Sequence, residues 1–151
     1  MFATAGTAEK CAACVRLGAE AAFNYREDDW VARIREWTDG RGIDVILDMV
    51  GGDYVSKNLG LLAVEGRLVQ IALLAGSVAE VDLMQVMRRR LTITGSTLRA
   101  RPVAFKAAIA SALRARVWPL LEAGKVKPEV HSVFDAARAA DLVQRAVLRG
   151  H

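Results

Sequence analysis

The chain has 151 residues, 53% of them hydrophobic, and no apolar run reaches the roughly 18 residues a membrane span needs, so it can build one domain with a sizeable core but not a transmembrane helix. A formal charge of +4 and a pI near 9.4 permit contact with nucleic acid, but the arginines cluster only at Arg88 to Arg90 and at Arg99 and Arg101, and no aromatic platform is interleaved with them. No leader pattern follows Met1 and the only cysteines are Cys11 and Cys14, so a cytoplasmic protein binding neither nucleic acid nor membrane is the expectation.

The opening stretch, Met1 to Lys10, reads as a strand, a turn at Gly6 and a helix start. Glu9 to Leu17 continues the helix with Cys11, Cys14 and Val15 on one face, and Gly18 suits its C′ position. Cys11-x-x-Cys14 lies inside that helix without the proline or aromatic setting of a redox site, and no second pair completes a zinc site, so two small residues packed on a sheet are the better reading. Ala21 to Tyr25 is a second strand. Acidic residues 27 to 29 load the next helix start, where Trp30, Ile34 and Trp37 recur at helical spacing, before Asp39 to Gly42 breaks the pattern.

Ile43 to Asp48 is a third strand, followed directly by Val50-Gly51-Gly52 and by a helix with Val55, Leu59 and Leu62 on its apolar stripe, ended by Gly66. Arg67 to Leu74 reads as a strand covered on both faces, Asp82 to Met87 as a short helix closed by arginines, and Leu91 to Gly95 as a fifth strand. Pro102 to Leu121 is helical, with Phe105, Ile109, Leu113 and Val117 on one side and a restart at Pro119; Glu129 to Phe134 is extended, and Asp135 caps a last helix to Arg149. Strand and helix alternate five times, which predicts an α/β fold: a Rossmann-like, doubly wound and mostly parallel sheet.

Such sheets bind ligands at the carboxyl ends of their strands. Those ends are Gly6-Thr7, Tyr25, Val50 to Gly52, Leu73 to Gly76 and Ser96 to Arg99. Where a dinucleotide fold selecting NAD places a carboxylate for the ribose 2′-OH, this chain has Gly6 and Thr7, with Lys10 one helical turn on; a hydroxyl and an ammonium suit a 2′-phosphate. No catalytic acid, base or nucleophile and no metal site emerges: the only histidines, His131 and His151, lie away from every strand end, and Ser77 and Ser96 lack a nucleophile elbow. Hydride transfer tolerates that poverty, because the cofactor carries the reactive chemistry.

Six stretches in order sharpen this: Thr4-Ala-Gly-Thr-x-x-Lys10, Leu17-Gly-Ala-x-x-x-Phe-Asn-Tyr25, Gly42-x-Asp-Val-Ile-Leu-Asp-Met-Val-Gly-Gly52, Gly66-Arg-Leu-Val69, Gly95-Ser-Thr-Leu-Arg-Ala-Arg101 and Trp118-Pro-Leu-Leu-Glu-Ala-Gly-Lys-Val-Lys-Pro128. Over residues 1 to 134 they resemble the zinc-free quinone oxidoreductase branch of the medium-chain dehydrogenase/reductase superfamily. The resemblance implies a Rossmann domain binding NADPH and reduction of a quinone or related α,β-unsaturated carbonyl compound. It implies that Thr7, Lys10 and Tyr25, beside Gly6, hold the 2′-phosphate. Val50, Gly51 and the stretch from Leu73 to Leu98 would line the nicotinamide side, and a homodimer would form through the sheet edge near residues 67 to 74 and 91 to 95.

Against that family the chain lacks a substrate domain and the first, glycine-rich βα unit, is shortened after Phe134, and ends at His151 in an atypical C-terminal helix over 135 to 151. The expectation is therefore a partial dinucleotide-binding domain over residues 1 to 151 whose opening strand pairs directly with Ile43 to Asp48, and which alone binds NADPH poorly and reduces no quinone. Two other readings stay open: a fragment of an enoyl-thioester reductase, and a non-catalytic Rossmann module for dimerisation or nucleotide sensing.

Overall fold

The computed structural model describes residues 1–130, 132–140 and 143. They divide into two units, Met1–Ser96 and Thr97–His151.

The first unit alternates β1 (Phe2–Ala5), α1 (Ala8–Arg16), β2 (Ala21–Asn24), α2 (Trp30–Trp37), β3 (Ile43–Asp48), α3 (Asp53–Leu61), β4 (Leu62–Gln70), α4 (Leu83–Arg89) and β5 (Thr92–Gly95). Each helix end has a local chemical cause. The side chains of Thr7, Asp29 and Asp82 accept backbone N–H bonds at the starts of α1, α2 and α4. α1 stops in a Schellman turn: Gly18, at φ 105°, donates to Val15 O while Ala19 donates to Cys14 O. α3 ends at Leu61, earlier than Gly66, because the buried Leu61, Leu62 and Ala63 carry the chain straight into the sheet. Its open carbonyls are taken up by Arg89, whose guanidinium donates to Leu59 O and Leu62 O at 2.7 Å each.

Every ladder is parallel, as the alternation predicts, but the strands form two sheets: β1–β2, and β3–β4–β5. β1 has no ladder to β3, which corrects the expectation that Phe2 to Ala5 closes directly onto Ile43 to Asp48. The side chains below explain why the sheets nonetheless stay together. Ala21, Phe23, Trp30, Ile34 and Leu61 form one buried cluster, against which Phe2 of β1 and Ile43 and Ile46 of β3 both pack. A second cluster, Leu59, Leu62, Leu68 and Leu91, seats α3 and α4 on β3 to β5.

Covering is one-sided. Leu68 is fully buried, while Val45 and Leu47 are exposed on the opposite face, so β4 is not covered on both faces as its apolar run suggests. The strand also stops at Gln70: Leu74 and Ala75 donate to Met49 O and Val50 O, folding residues 71 to 76 back over the turn that follows β3. On α1, Val15 is exposed, whereas Cys11 and Cys14 are half-buried.

In the second unit, α5 (Val103–Arg116) and α6 (Trp118–Glu122) are separate helices that break at Val117, as Pro119 requires, since it sits in the first turn of α6 and has no N–H to donate. Residues 129 to 134 form no strand among those described, and Asp135 caps a 3-10 turn, Ala136–Arg138, by accepting from the Ala137 N–H. The rest of the helix expected to Arg149 falls outside the described residues, apart from helical positions 139, 140 and 143.

Candidate dinucleotide site

The site forms where β1 gives way to α1. Thr7 is extended and its hydroxyl accepts from Lys10 N at 3.3 Å, so the first turn of α1 presents its remaining N–H groups to solvent beside an exposed Lys10. Tyr25 prolongs the β1–β2 pairing by donating to Ala5 O, which lays its ring over Gly6; a Cβ at Gly6 would lie 2.7 Å from the Tyr25 hydroxyl. Position 6 therefore needs glycine for close approach, not for its backbone angle. Gly6 thus meets Tyr25, and Thr7 meets the backbone N–H of Lys10.

The structure adds a member that the sequence reading passed over. The Arg26 guanidinium stacks 5.8 Å from the Tyr25 ring centroid, and its Nε lies 3.4 Å from where a Gly6 Cβ would sit. Its only sequence signal is a basic residue directly after a strand-end Tyr. Two exposed cations, a hydroxyl and the N-terminus of a helix are the polar groups of this corner. Two carboxylates also lie at this corner. Asp28 Oδ2 is taken up by Asn24 N, and the pKa of the exposed Glu9 is lowered first by its backbone hydrogen bond and then by Thr7.

A second group sits at the end of β3. Asp48 is buried, and its Oδ1 accepts from Val50 N at 2.6 Å and Gly51 N at 3.3 Å, which bends the chain out of the strand. Gly51 has φ 71°, and a Cβ there would lie 2.5 Å from Gly76 O and 3.0 Å from the Leu73 side chain. Val50, Gly51 and Leu73 are therefore neighbours. Leu98 belongs to the second unit and is half-exposed there.

Tyr54, in the first turn of α3, links the two groups: it stacks on Trp30 at 5.0 Å and meets Tyr25 edge-on at 6.3 Å. Burial pushes its phenol above the usual tyrosine range, with a hydrogen bond to the Thr4 side chain opposing. The carboxyl ends of both sheets thus share one side of the unit. The cysteine pair points elsewhere in chemistry. Burial raises the Cys11 thiol and Cys14 raises it further, the reverse of an activated thiol. Among the described residues no three of His, Cys, Asp and Glu are grouped to hold a metal.

Residues 1–114 match the family model described as zinc-binding dehydrogenase. The chain belongs to that family. Within the zinc-binding dehydrogenases it is 28% identical over 146 residues to "Quinone oxidoreductase-like protein 2" of Bos taurus, covering 93% of this chain and 40% of that protein. Among solved structures it is similar to Escherichia coli quinone oxidoreductase complexed with NADPH (30% identity, TM-score 0.72, 85% of this chain and 39% of that one). It is also similar to the protein named AibC (26% identity, TM-score 0.78, 98% of this chain and 38% of that one). The chain thus spans about two fifths of the length of the curated relative, and its place is in the nucleotide-binding half of the medium-chain dehydrogenase/reductase superfamily, with the Rossmann-like fold expected of it.

Proposed function

We propose that this chain is the NADPH-binding portion of an oxidoreductase whose acceptor is a quinone or a related α,β-unsaturated carbonyl compound. The observation that carries the reading is the cluster around Gly6: Thr7, Lys10, Tyr25 and Arg26 surround the strand end where an NAD-selecting protein would place a carboxylate. There the Thr7 hydroxyl, the Lys10 ammonium and the Arg26 guanidinium hold the 2′-phosphate, while the Tyr25 ring fixes Arg26 in place. Val50 and Gly51, bent outward by Asp48, and Leu73 beside them line the nicotinamide side through backbone and small contacts. Bound NADPH supplies the hydride; the residues of this chain bind and orient it. The relatives' names support this reading, and the E. coli protein was solved with NADPH.

By the same reading two copies pair along the open edge of β5, whose residues Thr92 to Gly95 are all exposed. The nucleotide reading is tested by titrating the chain with adenosine 2′,5′-bisphosphate and with 5′-AMP while following amide shifts. The bisphosphate is expected to bind more tightly, shifting Thr7, Lys10 and Arg26. Equal affinities would remove the reading.

A further inference from the structure

Beside α2, α3 and α4 the first unit carries a cleft of about 370 Å³ that the nucleotide reading does not use, lined by Arg35, Asp82, Gln85, Arg88 and Arg89 around Gly60. Its cationic end lies where α3 gives way to β4 and α4 to β5, at the amino ends of these parallel strands. The Val50–Gly51 turn lies at the other end, beyond the carboxyl end of β3.

Three guanidinium groups meet one carboxylate in this cleft, and they are not equally engaged. Arg89 is committed to the fold: its terminal nitrogens donate to Leu62 O, Leu59 O and Gln85 Oε1 at 2.7, 2.7 and 2.8 Å, which closes the carbonyl end of α3. Arg35 makes one long bond, from Nη2 to Gly60 O at 3.4 Å, and Arg89 Nη1 reaches the same oxygen at 3.4 Å, so two like charges are held side by side. Arg88 has no hydrogen bond or ion pair among the described residues. The ion pairs described in this unit join Met1 to Glu20, Arg41 to Asp44 and Arg90 to Glu65, and none reaches the cleft. A concave surface lined by one sign of charge concentrates the opposite charge, and an anion there relieves the repulsion.

The remaining groups narrow the class of anion. Gln85 Oε1 is taken by Arg89, which leaves the side-chain N–H groups of Gln85 as donors beside the arginines. Asp82 Oδ1 caps α4 by accepting from Met84 N at 2.9 Å, and Oδ2, without a partner among the described residues, is an acceptor for a hydroxyl. Asp82 and Arg88 stand about 9 Å apart along the axis of α4. Three cations against one carboxylate leave two positive charges unmatched, and a phosphomonoester at neutral pH carries nearly that charge with the opposite sign. The volume is at the small end for ligand sites.

We propose that this cleft binds a hydroxylated phosphomonoester of sugar-phosphate size. Arg35, Arg88 and the Gln85 amide take the phosphate oxygens, and Asp82 accepts from a hydroxyl at the far end. The site is separate from the one proposed for the 2′-phosphate and stands or falls without it.

The test titrates the isotope-labelled 151-residue chain with glucose 6-phosphate, inorganic phosphate and glucose, following backbone and arginine side-chain resonances. Glucose 6-phosphate is expected to saturate and to shift Arg35, Gln85 and Arg88, with inorganic phosphate roughly tenfold weaker and glucose without effect. Arg35→Gln and Arg88→Gln should each weaken glucose 6-phosphate roughly tenfold. Arg90→Gln, whose side chain pairs with Glu65 outside the cleft, should leave it unchanged. If a cleft variant does not fold, the three ligands and the position of the shifts decide alone. Absence of saturation at millimolar glucose 6-phosphate, equal affinity for inorganic phosphate (an adventitious ion only), shifts confined to Thr7, Lys10 and Arg26, or equal weakening by Arg90→Gln would each overturn the proposal.

Discussion

Lys10 and Arg26 present charge without the constraint of burial, so replacing either with Ala should leave the fold intact and lower affinity for NADPH roughly tenfold while sparing NADH, as paired nucleotide titrations would show. Gly6 behaves differently: Gly6→Ala forces the Tyr25 ring away from a Cβ only 2.7 Å from its hydroxyl, so Arg26 loses its platform and the same NADPH preference falls. Gly51→Ala meets both a positive φ and a carbonyl oxygen at 2.5 Å. It should destabilise by about 1–3 kcal/mol in urea unfolding, and displace Leu73. Cys11 tests the redox alternative. With its thiol raised by burial and then by Cys14, it should alkylate more slowly than free cysteine near neutral pH, and the pair should not cycle as a disulfide. Of the residues proposed for this site, Thr7 and Lys10 stand in local patterns, a turn and a helix start, while Tyr25 enters through the family resemblance. Arg26 was not legible, because what recruits it is a ring that only folding places over Gly6.

At the scale of elements, the side chains that matter most are few. Leu68 lies at the centre of β4 with no exposed surface, and Leu68→Ala should cost about 2–5 kcal/mol in chemical denaturation. Arg89 gathers the carbonyls at the end of α3. Arg89→Met keeps much of the bulk but strands those acceptors, and should cost about 1–3 kcal/mol. Most boundaries were readable in sequence because capping chemistry is short-range: Thr7, Asp29 and Asp82 at helix starts, Gly18 after α1, Pro119 at the break between α5 and α6. The two misread boundaries share a cause. α3 stops at Leu61 and β4 at Gln70 because neighbours bury or bond those residues, the sheet in one case and the Val50 turn in the other, and an apolar run is silent about both.

For the molecule as a whole, the decisive feature is a sheet in two parts held by one core. The amides along the inner edges of β1 and β3 should exchange faster than those of β4, which is paired on both sides, when followed by NMR at neutral pH. The described residues contain the cations proposed above to hold a 2′-phosphate, and among them no glycine-rich βα turn of the kind that cradles a pyrophosphate. The isolated chain should accordingly bind NADPH weakly and show no quinone-dependent NADPH oxidation; robust turnover would contradict this. The sequence alone determined the alternation of strands and helices, their parallel class and the turn and helix start that follow β1, since hydrophobic period, caps and turn residues act within a few positions of themselves. Only the tertiary structure decided that β1 stays apart from β3, that Arg26 joins the cluster and that Asp48 keeps one oxygen unpaired. Those outcomes depend on which distant side chains share a core and on the backbone edges left without a neighbour.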